Sequence, residues 1–375
     1  MGKYNHRQIA VLYYKDYEDL PRWFKFQYSP DGFNDIKYAC RSELFEKLKN
    51  SEKIILSSEY LEDFSLSQIQ EFCSDLKGLG KVEFRVLIYV REPAAYYLSH
   101  VQQELKASSR FSVPQNFKYN FLKTIQLWSS VFSRKNIEVR LFQPQKFPQK
   151  SVIVDFQNFA SDFFQVKMEL ESTIYLNRSL SAEGIVVLQN YRKLFYPNAD
   201  HIFKEDSNTL VSLLKSSVSE VEQTKAKLSP EVEGLVTTLH QEDIHELNRT
   251  YGVDVSEFGI VQDDRVQPNQ EIHNKFLING DKVEEILEFF DTEKMFDLMF
   301  WLLQKQIKQT QVKPSLNSSN ITSMMPIQET SSQPRVQPKN PEKTKASIQK
   351  SGYDNYYQRF FKWVKRLIMN KTRSS

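Results

Sequence analysis

Three short apolar runs constrain the fold of this chain more than any other feature: Lys53–Ser57 (KIILS), Glu83–Val90 (EFRVLIYV) and Glu138–Phe142 (EVRLF). Each is too short for a helix, is rich in β-branched or aromatic residues, and is parted from the next by helical pattern. Continuous apolar runs suit strands covered on both faces, as in parallel sheets. Ser65–Lys77, with Leu66, Ile69, Phe72 and Leu76 on one face, lies between the first two. Two further helices, about Ala94–Lys106 and Phe117–Phe132, lie between the second and third. Strand–helix–strand alternation predicts βαβ crossovers and an α/β domain. Ligands of such sheets sit beyond the carboxyl ends of strands, so the residues after Ser57 and Val90 become the candidate site.

From about Ser179 the pattern turns helical. Ser181–Leu194, Asn208–Lys227 and Pro230–Tyr251 each carry apolar residues at three-and-four spacing. Ser229-Pro230-Glu231 supplies a cap, a first-turn proline and an early acid, and Tyr251-Gly252 supplies a stop. About Lys282–Gln306 reads as one more helix. Its apolar residues Ile286, Phe289, Phe290, Phe296, Met299, Phe300 and Leu303 predict that it is buried or packs on a partner.

Charge divides the chain unevenly. Thr310–Ser375 holds 12 Lys+Arg against 3 Asp+Glu, so the body before it is mildly acidic although the whole carries +3. A basic nucleic-acid binder is disfavoured for the body, and no nucleic-acid partner is expected. Thr310–Ser351 is rich in Ser, Pro, Gln, Asn and Lys and reads as a disordered linker. After it, Tyr356, Tyr357, Phe360, Phe361, Val364, Leu367 and Ile368 fall on one helical face beside Arg359, Lys362, Lys365 and Arg366. A basic amphipathic helix over 352–375 suits an anionic membrane surface, or else docks on its own domain. No apolar run approaches bilayer length, the N-terminus shows no signal-peptide pattern, and Cys40 and Cys73 read as buried thiols. The expected location is cytoplasmic, peripheral at the inner membrane face if the tail binds lipid.

The stretch with most chemical content is Val86–Gln103 (VLIYVREPAAYYLSHVQQ). Arg91 follows the strand, Pro93 allows a helix to begin, and Ser99 lies eight residues after Arg91. Arg91 is a permanent, fork-shaped donor suited to phosphate, and Ser99 offers a hydroxyl to the same anion. Alone, the pair reads more readily as an arginine paired with a nearby acid and a helix-surface serine.

In its surroundings this segment resembles the 3′-phosphate-binding element of bacterial sulfotransferases that use 3′-phosphoadenosine 5′-phosphosulfate and modify carbohydrates. Ile54–Leu61 (IILSSEYL) is similar to their serine-serine-glutamate strand end. Leu127-Trp128, Val139–Phe159, Asn177–Ser181 (NRSLS) and Asn248–Asp254 (NRTYGVD) follow in the family's order. The resemblance covers about His6 to Phe258 and implies a sheet like that of P-loop NTPases, with Arg91 and Ser99 binding the nucleotide. It implies 3′-phosphoadenosine 5′-phosphosulfate as co-substrate and a carbohydrate or glycolipid hydroxyl as acceptor. The implied division is a sulfotransferase-like nucleotide-binding domain over 1–258 and a helical extension over 259–309. The linker (310–351) and the basic helix (352–375) follow.

One departure is large. The family's first strand and its loop of the type His-Ile-Gly-x-x-Lys-Thr-Gly-Thr-Thr, which wraps the 5′-phosphosulfate, have no counterpart here. Met1 corresponds to the region after that loop, and His6–Tyr14 to the helix that follows it. The missing strand is expected between the one ending at Ser57 and the one ending at Val90. Two arrangements remain open: an upstream start carrying the loop, which makes an active enzyme, or a degenerate, non-enzymatic nucleotide-binding or membrane-associated relative. Glu59 is the candidate base that takes the acceptor hydroxyl proton. It reads equally as a helix-start carboxylate capped by Ser57 or Ser58. His240 and His245, five residues apart, do not form a zinc-binding pair and read as surface histidines, and no metal site is expected.

Overall fold

The computed structural model describes residues 7–169, 179–255 and 278–311. They belong to one compact unit, Met1–Ser315; a second unit, Leu316–Ser375, contains the expected basic helix and lies outside the described residues.

The architecture is α/β, mostly helical, around a two-stranded parallel sheet. Strand β1 (Val86–Val90) pairs with β2 (Ile137–Leu141), in register from Val86 opposite Ile137 to Val90 opposite Leu141. Helices α5 (Pro93–Glu104) and α6 (Phe121–Phe132) make the crossover between them. Ahead of the sheet come α1 (Arg7–Tyr13), α2 (Arg22–Gln27), α3 (Phe33–Lys49) and α4 (Leu66–Lys77). Ser65 starts α4 with a full capping box: it accepts from the Gln68 N–H, and the Gln68 side chain accepts from the Ser65 N–H. Ile9 to Tyr14 are all buried, so α1 is wrapped on every side, where a helix after a missing loop was expected. Gln68 and Asp75 of α4 bind Tyr13, and Arg41 of α3 pairs with the same Asp75.

Successive strand residues face opposite sides of the sheet. Val86, Ile88, Val90, Ile137, Val139 and Leu141 make one aliphatic face. On the other, Tyr89 and its register partner Arg140 both donate to Asp155 of α7 (Val152–Phe164), at 2.5 and 2.8 Å, and so tie α7 across the strands.

The expected strand at Lys53–Ser57 does not form. A strand exists only by pairing, and no described segment pairs with this run. Among the described residues β1 likewise pairs on one edge only, and Val86–Tyr89 and Ile54–Leu56 are half-exposed.

The second half packs around α8 (Ala182–Phe195), in which every residue from Ala182 to Gln189, and Arg192, is buried. Three of these carry strong polar groups, and each is matched by backbone from elsewhere. Glu183 accepts from Thr224 N at 2.9 Å and Asp291 N at 3.0 Å. Gln189 donates to Ser109 O and accepts from Val283 N. Arg192 donates to the carbonyls of Ala107, Ala199 and Ile202 and to Ser207 Oγ. Helices α9 (Glu205–Ser217) and α12 (Thr292–Gln311) pack on α8, whereas α10 (Pro230–Leu239) packs on α5 and α11 (Gln241–Tyr251) on α6. Gly252, at φ +66°, gives α11 the left-handed stop expected there. At Gly280 (φ +70°) an added Cβ would stand 2.4 Å from Phe111 O, so the loop admits only glycine.

Several helix spans differ from the sequence pattern. The helix expected over Asn208–Lys227 ends at Ser217, because Lys225 and Leu228 make bridges with Ser181 and Leu287. The span Pro230–Tyr251 is two helices broken at His240. The span Lys282–Gln306 is a turn at Val283–Glu285 followed by α12, which Asp291 caps through the N–H groups of Glu293 and Lys294. Ile286 and Met299 are buried as expected, whereas Phe289 and Phe300 are exposed.

The three polar residues of α8 should govern stability. Glu183→Ala strands two buried N–H groups, each bonded to a carboxylate at about 1.5–3 kcal/mol. We expect a loss of about 3 kcal/mol in urea unfolding, and a smaller one for Glu183→Gln, which keeps an acceptor. A loss below about 1 kcal/mol would show that α8 does not organise this half.

Candidate functional site

Beyond the carboxyl end of β1 the chain turns at Arg91-Glu92-Pro93. The Arg91 N–H, the first donor past the strand, goes to the phenol oxygen of Tyr119 at 3.3 Å. The Arg91 guanidinium lies 5.8 Å from the centroid of the Phe142 ring, whose own backbone N–H donates to Val90 O. Glu92 caps α5: its carboxylate accepts from Ala94 N at 2.7 Å and Ala95 N at 2.5 Å, with Pro93 in the first helical position. The nearest acid is thus committed to a helix terminus. The half-buried guanidinium makes no hydrogen bond or ion pair among the described residues.

Ser99 stands in the second turn of α5, half-buried, and its hydroxyl also makes no hydrogen bond among the described residues. Tyr96 precedes it by three residues and so flanks it on the helix surface. The Tyr96 ring stacks on Tyr119, centroids 3.9 Å apart. Tyr119 thus ties the Arg91 backbone to Tyr96 on α5, while the Arg91 side chain lies against Phe142.

Glu59 opens a single 3₁₀ turn, Glu59–Leu61, after Ser58, which accepts from Tyr60 N at 3.4 Å. The capping role thus falls to Ser58. Near Glu59 the structure brings a residue that carries no sequence signal, Lys106, just past α5. Burial pushes its ammonium pKa down to about 8, helped by the charge of Lys215 on α9 and opposed by Glu59. Glu59, Lys106 and Lys215 therefore share one electrostatic neighbourhood.

A second carboxylate group adjoins the tyrosine stack. Tyr96 donates to Glu62 Oε1 at 3.3 Å, and Thr124 donates to Glu62 O. Desolvation, then the charge of Asp63, raises the Glu62 carboxyl above the usual carboxylate range, and desolvation raises Asp63 too, with His100 opposing in both. Both side chains still reach water.

His240 departs from expectation. It is buried, at 5% exposure, with Nε2 accepting from Tyr119 N at 2.9 Å. Helical periodicity continues across it, so sequence gave no sign that its ring faces inward. Phe117, Lys118, Tyr119 and Asn120, with Leu239 and Asp243, border a surface depression of about 530 Å³ beside it.

Chemically, the turn from β1 into α5 offers a permanent cation with no ion pair among the described residues, which suits an anion. The turn at Glu59 offers an exposed carboxylate that Lys106 feels electrostatically. Comparison with protein-family models, curated proteins and solved structures finds no match for the chain.

At pH 8 about half of Lys106 should be neutral, against well under 1% for an ordinary lysine. Brief acetylation at pH 8, read by mass spectrometry, should therefore label Lys106 ahead of the median lysine. Labelling at or below the median would contradict this electrostatic description.

Proposed function

We propose that this chain forms the nucleotide-binding body of a sulfotransferase-like protein. The donor is 3′-phosphoadenosine 5′-phosphosulfate and the acceptor a hydroxyl of a carbohydrate or glycolipid. One observation carries the reading: Arg91 and Ser99, eight residues apart across the turn from β1 into α5, are both half-buried with side chains that make no hydrogen bond among the described residues. Such groups are left to solvent, and a 3′-phosphate has the charge and the acceptors to take the place of that water.

In the transfer, the acceptor oxygen bonds to sulfur, the bridging S–O bond to the 5′-phosphate breaks, and the hydroxyl proton passes to Glu59. The nearby Lys106 and Lys215 offset the negative charge of donor and leaving group. The reading calls for a P-loop-like sheet with a further strand and phosphosulfate loop, which the 375 residues do not contain as a motif. The second edge of β1 and the run Ile54–Leu56, neither of which joins a further ladder among the described residues, agree with a sheet that accepts another strand.

Calorimetry tests the nucleotide. Adenosine 3′,5′-bisphosphate should bind more tightly than 5′-AMP, and Arg91→Ala should remove that preference, at about 1.5–3 kcal/mol for a charge-assisted contact. Equal binding of the two nucleotides by the unmodified chain would overturn the reading. Residues 1–375 alone should not transfer sulfate from the donor, because one preorganised donor to the developing charge can be worth ~2.7–4 kcal/mol and the whole cradle is missing. Turnover by this chain would show that it builds the cradle in another way.

No helix among the described residues is long and apolar enough to cross a membrane. We propose that the basic segment 352–375, which lies outside them, holds the protein on anionic lipid, where a glycolipid acceptor would be at hand. The full chain should sediment with anionic vesicles, weakly with neutral ones, and less at high salt, whereas a chain ending at Val312 should stay in solution. Identical behaviour of the two forms would remove the lipid partner.

A further inference from the structure

His240 is a buried histidine whose two ring nitrogens are both committed, and the geometry fixes their roles. Nε2 lies 2.9 Å from Tyr119 N, a backbone donor, so Nε2 must be the acceptor. Nδ1 then carries the proton and donates to Val236 O at 2.8 Å. The ring closes the last turn of α10, where carbonyls otherwise lack partners, and reaches across to the segment after α5.

That segment is what holds Arg91. Tyr119 is bonded through its N–H to His240, stacked on Tyr96 at 3.9 Å, and bonded through its oxygen to the Arg91 N–H at 3.3 Å. Phe117 lies between the Tyr97 ring at 4.9 Å and the His240 ring at 5.8 Å, so the segment is anchored at two points. Beyond the last residue of β1 no strand partner among the described residues holds the Arg91 backbone, and the Tyr119 phenol takes that place. The Phe142 ring is the other brace on the guanidinium.

We infer that His240 is a positioning residue of the 3′-phosphate site, acting through the backbone of Tyr119 to set the phenol that fixes Arg91. The inference rests on the proposed nucleotide reading and adds to it a residue on α10 that touches neither nucleotide nor acceptor. Two hydrogen bonds in series join the α10–α11 junction to the end of β1. A side chain in this place must accept from one backbone group and donate to another. Glutamine can do both; phenylalanine fills the space and can do neither.

The test uses the full chain and two probes, adenosine 3′,5′-bisphosphate and 5′-AMP, by calorimetry. Tyr119→Phe keeps the ring stack and removes only the oxygen, leaving the α10–α11 junction untouched. His240→Phe keeps the shape and removes the bond to Tyr119 N. Each should weaken the bisphosphate about three- to tenfold, as expected for one net hydrogen bond, and leave 5′-AMP unchanged. The double variant should be no weaker than the worse single one, and His240→Gln should restore the preference to within about twofold of the original. A simple loss of folding would depress both nucleotides together and would not be rescued by glutamine, which would overturn the positioning role. So would full preference in both His240→Phe and Tyr119→Phe. If the unmodified chain itself shows no preference, the nucleotide reading falls and this inference with it. If the preference exists and depends on Arg91 but not on His240 or Tyr119, only this inference falls.

Discussion

A buried glutamate, glutamine and arginine on one helix can be tolerated only if other parts of the chain meet their donors and acceptors. In α8 those partners are backbone groups from well-separated segments: Thr224, Asp291, Ser109, Val283, Ala107, Ala199 and Ile202. Each of those segments is loop or helix terminus, with backbone groups that no regular element satisfies. The two needs answer each other, and the solution fixes where the loops run. Arg192 illustrates the cost: burial lowers its pKa, and its Nε keeps no partner among the described residues. It is retained where four N–H···O bonds hold 105–110 and 199–207 together.

This network reaches the candidate site through one short segment. Residues 107–110, pinned by Arg192 and Gln189 and by Asp200 through Ser108 and Ser109, follow Lys106 directly. Lys106 therefore leaves α5 from a fixed exit, and its half-buried side chain donates to Gln103 Oε1. The fixed exit, rather than any local motif, turns an ordinary lysine into one with a pKa near neutrality.

What the sequence made legible is local. Ser229-Pro230 and Gly252 mark helix ends because caps and stops depend on a few adjacent residues, and the structure begins and ends helices there. The two strands that form were readable from their short apolar runs. The failures are non-local. Periodicity runs unbroken through His240 because both halves, Val232 to Val236 and Ile244 to Leu247, turn apolar residues inward. Only the bond to Tyr119, far away in sequence, marks the break. The break before α12 similarly depends on Glu183 taking the Asp291 N–H. Within the site, Arg91, Ser99 and Glu59 were visible as a pattern, whereas Tyr119, Lys106 and His240 acquire meaning only from partners that folding supplies.

The run Ile54–Leu56 shows the limit most clearly, because its composition predicts a strand and its surroundings deny it one. A helix carries its hydrogen bonds within itself, so sequence alone can specify it. A strand borrows them from a neighbour. Isoleucine and leucine at 54–56 are half-exposed, and so are four of the five residues of β1. Parallel strands of this composition are ordinarily covered on both faces. Among the described residues Ile54–Leu56 joins no ladder and β1 is paired along one edge only, so strand-like composition at 54–56 goes unused for want of a neighbour to bond it.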